Sequence, residues 1–82
     1  MSEEQITVDQ LVDVCGVRWP KSLLEARVAF NKMNVGETLQ ISTDSFKAKL
    51  SIPEFFRDDG QNVIRVDEPK EDRWEIFVQK NK

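Results

Sequence analysis

Val12-Asp13-Val14-Cys15-Gly16-Val17-Arg18-Trp19-Pro20-Lys21-Ser22-Leu23-Leu24 contains the change of periodicity on which the fold turns. Before Gly16 the pattern alternates. Over residues 10–15, Val12 and Val14 share one face and Leu11, Asp13 and Cys15 the other, as in a half-buried strand that Gly16 then stops. After Val17-Arg18-Trp19, Pro20 suits the first turn of a helix, because the N–H it lacks would have no partner there. At about 100° per residue, Leu23, Ala26, Phe30 and Met33 fall on one side, flanked by Leu24, with Lys21, Glu25 and Lys32 opposite. The spacing predicts an amphipathic helix over residues 20–33, closed by Gly36 at a cap position.

Downstream, Thr38–Thr43 alternates again, with Leu39 and Ile41 on one side, and reads as a second strand. Strand, helix and strand with short joints imply a right-handed unit whose two strands are parallel. Residues 44–50 can open with a helical turn. Ser51-Ile52-Pro53-Glu54 has the Ser-x-x-Glu spacing of a capping box, which predicts a second helix over residues 51–59 that ends at Gly60. Residues 63–66 and 74–78 read as a terminal hairpin across the polar, Pro-containing stretch 67–72. The expected fold is therefore α+β: a two-layer α/β sandwich in the order β-α-β-α-β-β. Its four-stranded mixed sheet carries both helices on one face and leaves the other wet. A single domain over residues 9–80 is expected behind a flexible extension at 1–8, with residues 79–82 frayed.

The 82 residues leave room for one domain, which hides about 60% of its unfolded surface. A composition 39% hydrophobic and 33% charged, with only three Gly and three Pro, fits an ordered globular chain. No stretch approaches the roughly 18 apolar residues of a membrane span. Met1-Ser2-Glu3-Glu4 is acidic where a secretory leader would be basic, so a cytoplasmic location without membrane contact is expected. One cysteine and no histidine exclude an internal disulfide, a Cys/His zinc cluster and nucleophilic catalysis by a Ser-His or Cys-His pair. Neither metal nor cofactor is expected. The net charge of -3 argues against general nucleic-acid binding. Within it, residues 15–36 form a basic segment, with Arg18, Lys21, Arg27 and Lys32 against Glu25 alone.

The quoted stretch resembles the opening of the TusA/SirA-like sulfur-carrier family, Leu-Asp-x-x-Gly-Leu-x-Cys-Pro-x-Pro-Leu. The resemblance continues through Ala26, Ala29, Phe30, Met33, Gly36-Glu37, Leu39 and Asp44. Ile52-Pro53-Glu54-Phe55 and Gly60 extend it, so it spans about residues 9–80. Members of that family carry sulfur as a persulfide on the cysteine of Cys-Pro-x-Pro, received from a desulfurase or rhodanese-like donor. A helix N-terminus suits this task, since its unpaired N–H groups and partial positive charge favour a thiolate. In this chain Trp19 stands in that cysteine's place and Ser22 in that of the second proline; Ser51 replaces the aspartate before Ile-Pro. Indole cannot carry a persulfide. The resemblance thus implies a sulfur-relay protein acting through protein contacts, an accessory or regulator rather than an enzyme, whose partner is a sulfurtransferase or desulfurase.

Trp19, beside Arg18 and Lys21, is either an aromatic anchor for an acidic partner or a ring folded down onto the sheet. Cys15, the alternative persulfide site, is otherwise an ordinary thiol whose pKa Asp13 would raise and Arg18 would lower. The stem of Arg27 is expected to be half-buried, and Phe55 and Phe56 to supply core and rim. The carboxylates of Asp58, Asp59 and residues 68–72 read as turn charges. A third reading, an RNA-associated module, comes from the likeness of this architecture to the C-terminal domain of bacterial translation initiation factor three. The charge balance and the lack of a basic, aromatic-studded strand oppose it.

Overall fold

The computed structural model describes residues 6–82. Its elements are β1 (Gln10–Asp13), α1 (Lys21–Asn31), β2 (Thr38–Thr43), α2 (Phe46–Asp58), β3 (Asn62–Lys70) and β4 (Arg73–Gln79). The sheet order is β1-β2-β4-β3, with β1 parallel to β2 and the other pairs antiparallel. This is the expected element order and mixed sheet. Parallel pairing sets Val12 opposite Ile41 and Gln10 opposite Leu39.

Both helices cover one face. Val14, Leu39, Ile41, Ile76 and Val78 from the sheet side meet Ala26, Phe30 and Met33 from α1 and Ala48, Ile52 and Phe56 from α2 in one buried cluster. The rings of Phe30 and Phe56, 4.8 Å apart, join the two helices within it. Leu23 packs at the edge of the cluster, whereas Leu24 points away and is 53% exposed. The other face is polar: Gln40 Nε2 donates to the Glu75 carboxylate at 2.8 Å, and the Ser42 hydroxyl donates to the same group. Phe77, which projects from that face, is nevertheless buried, with the Arg65 guanidinium 5.5 Å above its ring.

Several boundaries differ from those expected. Pro20 is the N-cap of α1 rather than part of its first turn, and the helix ends at Asn31. Gly36 does not cap it but turns the chain into β2 at φ +97°, where its N–H donates to the Lys80 carbonyl at 2.8 Å. Helix α2 starts five residues before Ser51. Ser45 is its N-cap, accepting from the Ala48 N–H at 3.2 Å, so Ser51 and Glu54 form no capping box. Pro53 consequently lies mid-helix and buried, where the bond it cannot make would have reached the Lys49 carbonyl. The stretch 67–72, expected as a loop, is mostly strand. β3 is an edge strand, where Pro69 can be tolerated, and the turn narrows to Glu71-Asp72 with Asp72 at φ +59°.

The chain after β4 is tied down rather than frayed. The Lys80 N–H donates to the Glu37 carbonyl at 2.8 Å, and its ammonium donates to the Met33 and Phe30 carbonyls at 2.8 and 3.3 Å. The Gln61 side-chain oxygen accepts from the N–H groups of Asn81 and Lys82. Of the extension expected at 1–8, residues 1–5 lie outside the described residues, and residues 6–8 have no regular structure.

Candidate functional site

Chain direction brings the candidate residues to one end of the sheet. Strands β1 and β2 both run toward this end and each feeds a helix, so the N-termini of α1 and α2 lie there together. Two carboxylates fix the loop after β1. Asp13 Oδ1 accepts from the Cys15 N–H at 3.0 Å, and Asp44 Oδ1, on the joint between β2 and α2, accepts from the Gly16 N–H at 2.9 Å. Gly16 adopts φ +81°, a conformation a side chain would strain. The Val14 N–H donates to the Ser42 carbonyl at 2.8 Å, and the Val17 N–H returns to the Val14 carbonyl at 3.0 Å.

This bracing delivers Arg18-Trp19-Pro20 to the start of α1. No side chain caps that helix and its first turn holds no acidic residue, so its positive end is uncompensated by its own sequence. Ser22 is buried, and its N–H donates to the Arg18 carbonyl at 3.0 Å; a proline there would lack that donor. The hydroxyl of Ser22 finds no hydrogen-bond partner among the described residues. Trp19 is half-buried and packs against the edge of the core, while Arg18 and Lys21 are exposed beside it. The indole rests on the core without being enclosed by it.

Cys15 lies beyond the end of β1, in the turn, so strand parity does not govern it; the turn itself brings it against Asp13. Burial pushes its thiol up to about 11, helped by the hydrogen bond to Asp13 and by the negative charge of that carboxylate. The cation opposing this rise is Arg73, at the start of β4, in place of the expected Arg18. Asp13 is held below its usual value, chiefly by the Cys15 N–H. A thiol in this setting is almost wholly protonated near neutral pH and correspondingly unreactive. No group of three metal-ligating side chains occurs among the described residues.

Two residues not singled out from sequence enlarge this end. Phe46, the first residue of α2, is 60% exposed and meets Trp74 edge-on at 6.1 Å, with the Lys49 ammonium 5.3 Å from its ring centre. The true start of α2 was the signal, and the Ser51 box concealed it. Arg27, expected to be half-buried, is exposed, although its guanidinium lies 4.9 Å from the Phe55 ring centre. Phe56 is core and Phe55 rim, the reverse of the order anticipated, because α2 starts at Phe46 and this turns Phe56 onto the face of Ala48 and Ile52. No helix among the described residues is long and apolar enough to cross a membrane.

The fold and the sequence both have known relatives. The solved structure of a SirA-like protein from Desulfitobacterium hafniense superposes with a TM-score of 0.79, covering 90% of this chain and 100% of that one at 13% identity, which supports the fold. A protein of Archaeoglobus fulgidus named "Putative sulfur carrier protein" is 26% identical over 76 residues, 93% of this chain and 86% of that one. A Thermotoga maritima protein of the same name is 30% identical over 78 residues, 95% of this chain and 96% of its own length. The sequence profile described as "Sulfurtransferase TusA" matches residues 10–80, the whole span from β1 to the residue after β4. With that match laid over a TusA-type frame in which the braced loop still leads into an uncapped helix, the chain belongs to the TusA sulfurtransferase family.

Proposed function

We propose that this protein takes part in sulfur relay through protein contacts, as a non-carrier accessory or regulator docking by Arg18, Trp19 and Lys21. The observation that carries this reading is Trp19: an indole, half-exposed between two exposed cations, fills the place where the family motif has its sulfur-bearing cysteine. Tryptophan and arginine are the side chains most enriched at binding hot spots. The partner chemistry that fits is an acidic surface on a sulfurtransferase or cysteine desulfurase. The alternative in which Cys15 carries sulfur requires a thiolate, which burial and Asp13 disfavour at that position.

Incubation with a cysteine desulfurase and cysteine, followed by intact-mass measurement, tests this reading. The wild type is expected to gain no sulfur, and the variant Trp19→Cys in a Cys15→Ser background to gain one. A sulfur adduct on the wild type that Cys15→Ser abolishes would overturn the non-carrier assignment. Trp19→Ala should leave the far-ultraviolet spectrum unchanged and weaken binding to the acidic partner by about 2 kcal/mol.

A further inference from the structure

From Lys21 onward, running away from Trp19, the edge of the sheet carries a second surface. Among the described residues β1 is the outermost strand, with β2 on one side only and no sheet partner for its outer backbone groups. Along that edge the flank of α1 overhangs β1 and forms an open groove of about 440 Å³. Its floor is Val12, Leu24, Val28 and Ala29; Lys21, with Glu25 beside it, stands at one end and Lys32 at the other. Leu24 and Val28 are 53% and 56% exposed, and α1 is covered on its other side by the core. Neither side chain belongs to the buried core cluster.

A second copy of the chain fits the groove poorly. Identical edges pair about a two-fold axis. Because Val12 shares the groove with both of its lysine ends, such an axis sets Lys21 of one copy beside Lys32 of the other, twice. Like charges at both ends oppose that contact. Glu25 answers Lys21 in part, at 4.0 Å and solvent-exposed, while Lys32 has no ion-pair partner among the described residues. The same two cations favour carboxylates. Lys21 and Lys32 are eleven residues apart on one helix, about 16 Å; two carboxylates four residues apart on one face of an extended chain lie about 13 Å apart, a difference the flexible lysine stems close.

We propose that this groove binds an extended segment of a partner protein as a fifth strand beside β1. The segment has the pattern acidic-x-apolar-x-acidic. Main-chain bonds to the edge of β1 give register, as in other strand additions, and alternate side chains face the groove. The apolar residue lies over Val12, Leu24 and Val28, and the flanking carboxylates meet Lys21 and Lys32. The surface shares Lys21 with the Trp19 site but runs on from it through Val12, Leu24, Val28 and Lys32, and it does not rest on the sulfur-relay reading.

The test is a titration of the nitrogen-15-labelled chain with the peptide Thr-Glu-Thr-Val-Thr-Glu-Thr, followed by amide shifts. The Val12, Leu24 and Val28 amides are expected to move. The same peptide with lysines for its glutamates should bind at least about tenfold more weakly, and Lys21→Glu with Lys32→Glu should reverse that preference. These lysines are exposed, so the double variant keeps the fold, which its unchanged amide dispersion would verify. Four outcomes overturn the proposal: no shifts at millimolar peptide, shifts confined to the Trp19 end, equal binding of both peptides, or a concentration-dependent dimer that Val28→Asp abolishes.

Discussion

Trp19 and Cys15 stand four positions apart in very different surroundings, the indole half-exposed between two cations and the thiol turned against the Asp13 carboxylate. The sequence could place Trp19 just before a helix, because Pro20 and the following periodicity mark that start, but it could not say how far the ring would lean. The lean depends on the angle at which the loop leaves β1, and that angle is set by Asp44, 28 positions after Gly16 in the chain. For Cys15 the influence of Asp13 was legible and the relevant cation was not, since Arg73 arrives from the far end of the chain. With its thiol raised from 9.0 to about 11, Cys15 holds roughly a hundredfold less thiolate at pH 8 than an ordinary cysteine. Iodoacetamide should therefore alkylate it about a hundredfold more slowly than it alkylates the urea-unfolded chain, with the rate still rising between pH 9 and 11. Asp13→Asn should speed that reaction. A folded-state pKa above the unfolded value means a proton held more tightly when folded. The associated stability is complete below pH 9 and is lost as pH rises toward 11, which urea melts across that range would display.

Among the elements, β1, α1 and β2 were readable because each has one dominant period, and Val14, Ala26, Phe30, Leu39 and Ile41 go where those periods point, although Gly36 turns the chain into β2 rather than capping α1. Helix α2 was only half readable. Ser51-x-x-Glu54 and Pro53 each suggest a helix start, but Phe46, Ala48 and Leu50 supply an earlier turn, and a buried Ala48 and Ile52 on one face outweigh the proline's lost bond. The two candidate caps are separable by experiment. Ser45→Ala should lower stability by about 1 kcal/mol in urea unfolding. Ser51→Ala, at mid-helix without a capping bond, should stay within about 0.5 kcal/mol of wild type. Equal losses at both positions would return the helix start to Ser51. The strands of the hairpin ran longer than expected because charged residues beside Pro69 look like a loop in sequence, although an edge strand accepts both.

At the level of the whole molecule, one core serves both helices, and the Phe30–Phe56 contact is where they meet. Phe56 is 1% exposed, so Phe56→Ala should cost about 3–5 kcal/mol. A domain of this size holds only about 5–15 kcal/mol in total. Thermal unfolding of that variant should begin well below the wild-type midpoint, with partial unfolding at room temperature at the low end of the range. The sequence pattern could name the inward residues of each segment, but not the order of the strands, because pairing joins positions far apart in the chain. That order places the last element made, β4, between β2 and β3. A nascent or proteolysed chain that stops before Arg73 therefore keeps three strands with a gap through their middle, and its greasy side has no continuous floor on which α2 can settle. Such a fragment is exposed to chaperones and proteases rather than being a smaller version of this domain, whose folding therefore waits on β4.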